Sequence, residues 1–200
     1  MHNKQLKIQI LSLMILILSN IVFGQEKKSE QQLEKFMIQL KSSKVDNFLI
    51  LKSGCIGCEV QYIDTSKFIN DGQTIYVLTQ NKGQFNINIF DDLNEQKHFS
   101  IDTCSLFKFV DKNKLTLQQK ETFYKKEITK IKSKNGFFPP GPIHYSYEEL
   151  KIHSANFIYD FKIVDKTNDY FGIQREKEDW FILTKEIIKR LNSYLQLVEK

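Results

Sequence analysis

Two cysteines three positions apart, Cys55 and Cys58, have the spacing in this chain that most directly suggests chemistry. They follow an apolar run, Asn47–Leu51, and sit in the segment Ser-Gly-Cys-Ile-Gly-Cys. A thiolate at the start of a helix is stabilised by the helix dipole, and a neighbouring thiol can resolve a mixed disulfide. The spacing is therefore compatible with thiol-disulfide exchange, with a structural bridge and with metal binding.

We favour a structural role for the cysteines. Either Cys104 pairs with Cys55 or Cys58, or the latter two close on each other. A bridge from Cys104 to Cys55 or Cys58 would close a long loop and contribute roughly 3 to 4 kcal/mol of stability. Because the chain has three cysteines, one thiol is left unpaired or forms an intermolecular bond.

A metal site is the weaker alternative. Cys55, Cys58 and Cys104 together with His98 form a Cys₃His set, which suits zinc. His98 and Cys104 are six positions apart, however, and lack the tight paired spacing of recognisable zinc sites. We therefore predict no metal and no other cofactor.

A proline-rich segment, 137–142, holds all three prolines of the chain and two of its phenylalanines. Aromatic side chains beside rigid prolines can bind a partner with little loss of entropy, although core packing would explain them equally well. His144 could act as a base, but no nucleophile elbow or distinctive carboxylate pair accompanies it. Our candidates for an interaction surface are Phe137, Phe138, His144, Tyr145 and Tyr147.

Residues 1–24 have the pattern of an export signal. Lys4 and Lys7 precede an apolar stretch from Ile8 to Leu18, and Gly24 supplies a small residue for cleavage. The stretch is shorter than the run of about 20 residues that spans a membrane. We predict an exported protein, periplasmic or extracellular, with no transmembrane segment after cleavage.

The remaining 200 − 24 = 176 residues are predicted to form one domain, 25–200. Removing two lysines leaves 27 basic against 24 acidic residues, a net charge of +3. This balance argues against nucleic acid as a partner. Hydrophobic residues make up 41% of the chain, which indicates a folded core rather than disorder.

Apolar periodicity predicts three helices, at the N-terminus, in the centre and at the C-terminus. The first covers about Ser29–Lys41; the second contains a Thr116 and Gln119 capping box and stops at Asn135-Gly136; the last starts near Glu178. A weaker pattern suggests a short helix within 59–70.

Alternating or continuous apolar runs predict the strands between these helices. Asn81-Lys82-Gly83 has the composition of a hairpin turn. The predicted strands are 47–51, 74–79, 84–90, a strand through Phe99 and Ile101 that continues over 106–110, and then 143–147, 156–164 and 170–173.

The order helix, buried strand, Cys-x-x-Cys, possible helix and strand resembles the opening of the thioredoxin-like proteins. That resemblance implies an α/β fold with an inserted hairpin. Cys55 would be the nucleophile, Cys58 the resolving thiol and Pro142 the cis-proline that faces them. No tryptophan or proline stands within the motif, and Cys104 has no counterpart in this arrangement.

We expect an α+β fold with a largely antiparallel sheet, and the thioredoxin-like α/β fold is the alternative. The function we predict is that of an exported binding protein with a protein or small-molecule partner, which we favour over an enzyme. The alternative is a thiol-disulfide oxidoreductase that uses Cys55 and Cys58.

Overall fold

The computed structural model describes residues 28–45, 47–56, 73–91, 96–133, 145–154, 157–164 and 171–198. The predicted export signal and the predicted short helix within 59–70 lie outside these residues. In chain order the elements are α1 Lys28–Ser42, β1 Asn47–Ile56, β2 Gln73–Asn81, β3 Gln84–Asp91, β4 Lys97–Ile101, α2 Leu106–Ser133, β5 Tyr145–Ser154, β6 Phe157–Val164, α3 Gly172–Arg175 and α4 Asp179–Val198.

The strands form one six-stranded sheet in the order β4-β3-β2-β1-β5-β6. Every neighbouring pair is antiparallel, which confirms the predicted α+β class. The thioredoxin-like alternative is wrong for this sheet, because that architecture needs a parallel pair joined by a crossover helix. Here β1 lies between two antiparallel neighbours, β2 and β5.

The central strand β1 is covered on both sides, as its continuous apolar run predicted. Leu49 and Leu51 pack into one hydrophobic cluster, whereas Ile50 packs into a second cluster on the opposite face. The strand continues to Ile56, five residues beyond the predicted end at Leu51. Cys55 therefore lies within a strand.

One face of the sheet carries α2 and α4, and we call it the two-helix face. Trp180, at the start of α4, is fully buried there and meets the ring of Phe161 edge-on at 5.0 Å. Tyr194 near the end of α4 accepts a hydrogen bond from the backbone N–H of Ser105, just before α2. The two helices therefore run antiparallel across the sheet.

The opposite face carries α1, and we call it the one-helix face. This helix packs on β2 and β3, where a smaller cluster forms from Leu33, Leu40, Ile50, Ile75, Val77 and Phe90. On the same face of the edge strand β6, Ile158, Asp160 and Lys162 are exposed. The helix therefore covers one half of this face and leaves the β6 side open.

Several predicted elements are confirmed with small shifts at their ends: α1, β2, β3, β6 and α4. The β2–β3 hairpin turns through Lys82 and Gly83, which both have positive φ, as a tight two-residue turn requires. The predicted strand 143–147 is longer than expected, since β5 continues to Ser154.

Two predicted strands are wrong. Residues 106–110 begin α2, so the proposed capping box at Thr116 lies inside a helix. A five-residue apolar run fits either element, and here its spacing places Leu106, Phe107 and Val110 in the core together. The strand over 170–173 is also wrong, because Gly172–Arg175 is a short helix, α3.

No helix within the described part of the chain is both long and apolar enough to cross a membrane.

Candidate functional site

Cys55 lies near the end of β1, half-buried, on the two-helix face of the sheet. Its partner across the strand pair is Ser146 of β5. Cys55 thus lies within a strand and not in the first turn of a helix, where the redox interpretation places it. Cys58 lies outside the described residues, so a bridge between Cys55 and Cys58 stays a prediction.

Cys104 is a free, buried cysteine in the hydrophobic cluster between β4 and α2. Burial raises the pKa of its thiol, and hydrogen bonds with the Leu106 backbone and the Tyr194 side chain offset only part of that effect. The predicted bridge from Cys104 to Cys55 is therefore wrong. The β4 strand that precedes Cys104 ends level with the start of β1, whereas Cys55 lies near the end of β1.

His98 lies on β4, where its Nδ1 atom is 2.9 Å from Oδ1 of Asn88. Its side chain projects from the one-helix face, three strands away from β1. The structure thus does not bring His98 and Cys104 to Cys55, as the Cys₃His interpretation required. Among the described residues, no three His, Cys, Asp or Glu side chains form a group that could hold a metal ion.

Tyr145 and Tyr147 lie side by side on the one-helix face of β5. The ammonium group of Lys162 lies 5.1 Å from the ring centre of Tyr145 and 4.1 Å from that of Tyr147. Tyr147 is buried above Gly54, where an added Cβ would come within 3.1 Å of its hydroxyl oxygen. Phe137, Phe138 and His144, the other predicted surface residues, lie outside the described residues.

A polar network underlies this pair of tyrosines. The hydroxyl of Tyr147 donates to Oε1 of Gln73, whose amide nitrogen donates to the Glu30 carboxylate at 2.7 Å. Lys52 contacts the same carboxylate at 2.8 Å. Burial alone would raise the pKa of Glu30, but the hydrogen bonds from Lys52 and Gln73 outweigh it and lower the pKa. The network joins α1 to the sheet.

The two-helix face offers a different environment at the same end of β1. A cleft of about 630 Å³ lies there between the sheet and the first turns of α4, and we call it the Glu148 cleft. Its volume falls within the range typical of ligand pockets. The polar side chains that line it are Ser53, Cys55, Thr74, Ser146, Glu148, Glu176 and Lys185, and its apolar walls are formed by Ile163, Val164 and Phe181.

Glu148 is the charged side chain of the cleft that lacks a nearby opposite charge among the described residues. Its side chain is half-buried, and burial raises the pKa of its carboxyl group. Within the described parts of the chain it has neither an ion-pair partner nor a hydrogen-bond donor. The nearest basic side chain of the lining, Lys185, is already paired with Glu176 at 3.0 Å.

Sequence reasoning missed Glu148 because it ended the strand at Tyr147. On the observed β5 strand, Ser146, Glu148, Leu150 and Ile152 share the two-helix face. If the predicted strand had been extended past Tyr147, its alternation would have placed Glu148 on the same face as the core residues Leu150 and Ile152. This pattern indicates a carboxylate at the border of the hydrophobic core.

The cleft also lies where three of the undescribed segments join the sheet. Ile56 precedes 57–72, Tyr145 follows 134–144, and Val164 precedes 165–170. All three residues lie at the same end of the sheet, since Ile56 pairs with Tyr145 and Val164 pairs with Tyr147. The Cys-x-x-Cys motif and the proline-rich segment therefore both connect to the sheet at this end.

Comparison of the chain with protein-family models, with curated proteins and with solved structures finds no match. We therefore infer a function from the Glu148 cleft and its chemistry.

Proposed function

We propose that this is an exported binding protein whose Glu148 cleft holds an organic cation with an apolar portion. The observation that carries the proposal is the half-buried carboxylate of Glu148, which has no compensating charge among the described residues. A ligand cation would supply the missing partner. Such charge-assisted contacts are stronger than contacts between neutral groups.

The walls of the cleft suit the rest of such a ligand. Phe181 and Ile163 give an apolar surface, and the hydroxyl groups of Ser53 and Thr74 supply hydrogen-bond partners. Binding sites of small molecules commonly combine apolar walls with a few polar groups that orient the ligand. The pairing of Lys185 with Glu176 leaves Glu148 as the charge available to attract a cation.

Three probes that differ only in charge test this proposal: phenethylamine, 2-phenylethanol and phenylacetate. Titration of the mature protein, followed by NMR or calorimetry, should show that the amine binds best. Glu148→Gln should weaken amine binding by about tenfold or more, since the ion pair is lost in a partly desolvated site. Affinity should also fall at acidic pH as Glu148 becomes protonated.

Glu149→Gln is the matched control, because Glu149 is the next residue of β5 and lies on the opposite face. This variant should bind phenethylamine as the parent protein does. Equal binding of the amine by the parent and by Glu148→Gln would remove the cleft as a cation site. Tighter binding of phenylacetate would show that Lys185, and not Glu148, sets the charge preference.

Export has its own test. Mass spectrometry of the protein purified from its native cells should find an N-terminus at Gln25, which follows the proposed cleavage after Gly24. An intact N-terminus in the cytoplasmic fraction would contradict the proposal.

A thiol-disulfide oxidoreductase is the second candidate, and the position of Cys55 in the lining of the cleft favours it. Its test is reduction of insulin disulfides by the parent protein and by Cys55→Ser. Loss of a measurable activity in the variant would support the enzyme. Absence of activity in the parent protein would contradict the oxidoreductase and favour the binding function.

A further inference from the structure

A second hollow lies on the other face of the sheet, at the start of β1. It has a volume of about 430 Å³ and lies between the end of α1 and the strands β1 and β5. Phe48 forms part of its wall and stacks on the ring of His153, with 4.8 Å between ring centres and 4° between planes. We call it the Phe48 hollow. The residues that line it are Met37, Leu40, Lys41, Lys44, Val45, Phe48 and His153.

The hollow is separated from the Glu148 cleft by the sheet itself. Phe48 and Cys55 are seven residues apart along β1, a distance of about 24 Å in an extended strand. Their side chains also project from opposite faces, since their positions along the strand differ by an odd number. A ligand in one site therefore does not contact a ligand in the other.

Two lysines stand at the rim of the hollow, and neither is needed to cap α1. Lys44 adopts φ 53°, and its N–H donates to the carbonyl of Lys41, while the N–H of Val45 donates to that of Leu40. These are the two bonds of a Schellman motif, which satisfy the carbonyl groups at a helix end through the backbone alone. Within the described ranges, the ammonium groups of Lys41 and Lys44 have no ion-pair or hydrogen-bond partner.

The walls below the lysines are apolar. Leu40 is buried, and Met37, Val45 and Phe48 are each partly exposed towards the hollow. Since liquid water occupies about 30 Å³ per molecule, the volume can hold about 14 groups of that size. Decanoate has ten carbon atoms, including that of the carboxylate, and two oxygen atoms, and these twelve heavy atoms fit this space.

We propose that the Phe48 hollow binds a single carboxylate-bearing amphiphile, with its chain against the apolar walls and its head group between Lys41 and Lys44. The complementarity of charge selects an anion, and the apolar walls select a chain. This inference is independent of the proposed cation site, because no residue lines both.

Calorimetric titration with decanoate, below its critical micelle concentration, tests the proposal. We expect one molecule to bind per chain. Affinity should rise about fourfold for each methylene added from hexanoate to decanoate, in keeping with burial of the chain. Decyltrimethylammonium, which carries the opposite charge on the same chain, should bind at least tenfold more weakly.

A double variant, Lys41→Gln with Lys44→Gln, should weaken decanoate binding by about tenfold, since two partly exposed ion pairs are lost. Both side chains are exposed, so the fold should be preserved, and circular dichroism checks this. The matched control replaces two exposed lysines of α2, Lys112→Gln with Lys114→Gln, and should bind as the parent does. Glu148→Gln should also leave decanoate binding unchanged.

Three outcomes would overturn the proposal. The first is equal affinity of the parent and the Lys41 and Lys44 double variant for decanoate. The second is equal affinity for decanoate and decyltrimethylammonium. The third is sedimentation with phosphatidylglycerol vesicles when decanoate does not bind, which would indicate attraction to an anionic membrane surface instead.

Discussion

The two faces of the sheet differ in how they are held together. On the two-helix face, α2 and α4 bury an aromatic cluster that includes Phe123, Phe161, Trp180 and Phe181. On the one-helix face, α1 covers β2 and β3 with a small apolar cluster and ties itself to the sheet through Glu30.

This difference shows that the two faces are stabilised by different kinds of interaction. The two-helix face is dominated by burial of apolar area, which is the largest favourable contribution to folding. The one-helix face depends more on a few charged hydrogen bonds, which respond to pH. The Glu148 cleft lies on the first face and the Phe48 hollow on the second, and we propose opposite charge preferences for the two sites.

The largest effect is expected from Trp180→Ala. Trp180 is fully buried among four aromatic rings, so its truncation should lower the free energy of unfolding by about 3 to 5 kcal/mol. Urea unfolding measures this loss. Trp180→Phe should cost much less, because the indole N–H has no hydrogen-bond partner among the described residues. Equal losses in the two variants would contradict the packing argument.

Phe36→Ala tests the other face. Phe36 is partly exposed and packs on Phe90, so we expect a loss of about 2 kcal/mol, smaller than for Trp180→Ala. A loss equal to that of Trp180→Ala would contradict the prediction that the one-helix face contributes less to stability through apolar packing.

Arg175 protects the open edge of the sheet. It is buried between the rings of Phe161 and Phe181, and its Nη2 atom donates to the carbonyl of Val164 on β6. Lys120 caps the carbonyl of Asp160 on the same strand. Arg175→Leu should destabilise the fold by about 2 kcal/mol and increase association through the exposed edge.

Urea unfolding and sedimentation velocity measure these two consequences of Arg175→Leu. Lys120→Met, which removes only the more exposed cap, should show the smaller loss of stability. A monomeric Arg175→Leu variant of parental stability would contradict the role of the edge cap.

Glu30 should make the one-helix face sensitive to acid. Its pKa is lowered in the folded state, so its contribution is fully present above about pH 4.5 and is lost as pH falls through the lowered pKa. Glu30→Gln should therefore reduce stability by about 1 kcal/mol at pH 7 and have little effect near pH 2. Thermal unfolding across this range measures the difference, with the exposed-pair variant Lys185→Met as a control of small effect.

Glu148 should show the opposite dependence on the other face. Its pKa is raised in the folded state, so the folded protein favours the protonated form and loses stability as pH rises through that pKa. Glu148→Gln should be more stable than the parent at pH 8 by up to about 0.5 kcal/mol, and equal to it below about pH 4. Parallel pH profiles for the Glu30 and Glu148 variants would refute the contrast between the two carboxylates.

Short-range patterns in the sequence were sufficient to predict many of the helices and strands. The hairpin through Lys82 and Gly83 and the long stripe of α4 were predictable, because turn chemistry and helical periodicity act over a few residues. The run Leu106–Val110 was not, since five apolar residues satisfy a buried strand and a buried helix equally well. Packing against the sheet decided that it begins α2.

The candidate sites depended on the tertiary structure almost entirely. The sequence by itself determined the antiparallel α+β class, the doubly covered strand at Asn47–Leu51 and the absence of strong charge bias. Only the fold decided that Cys104 is remote from Cys55, that Glu148 is half-buried beside α4, and that Lys41 and Lys44 border an apolar hollow. Each of these features joins residues far apart in the chain, and their proximity follows from strand register and helix packing, which no local pattern encodes.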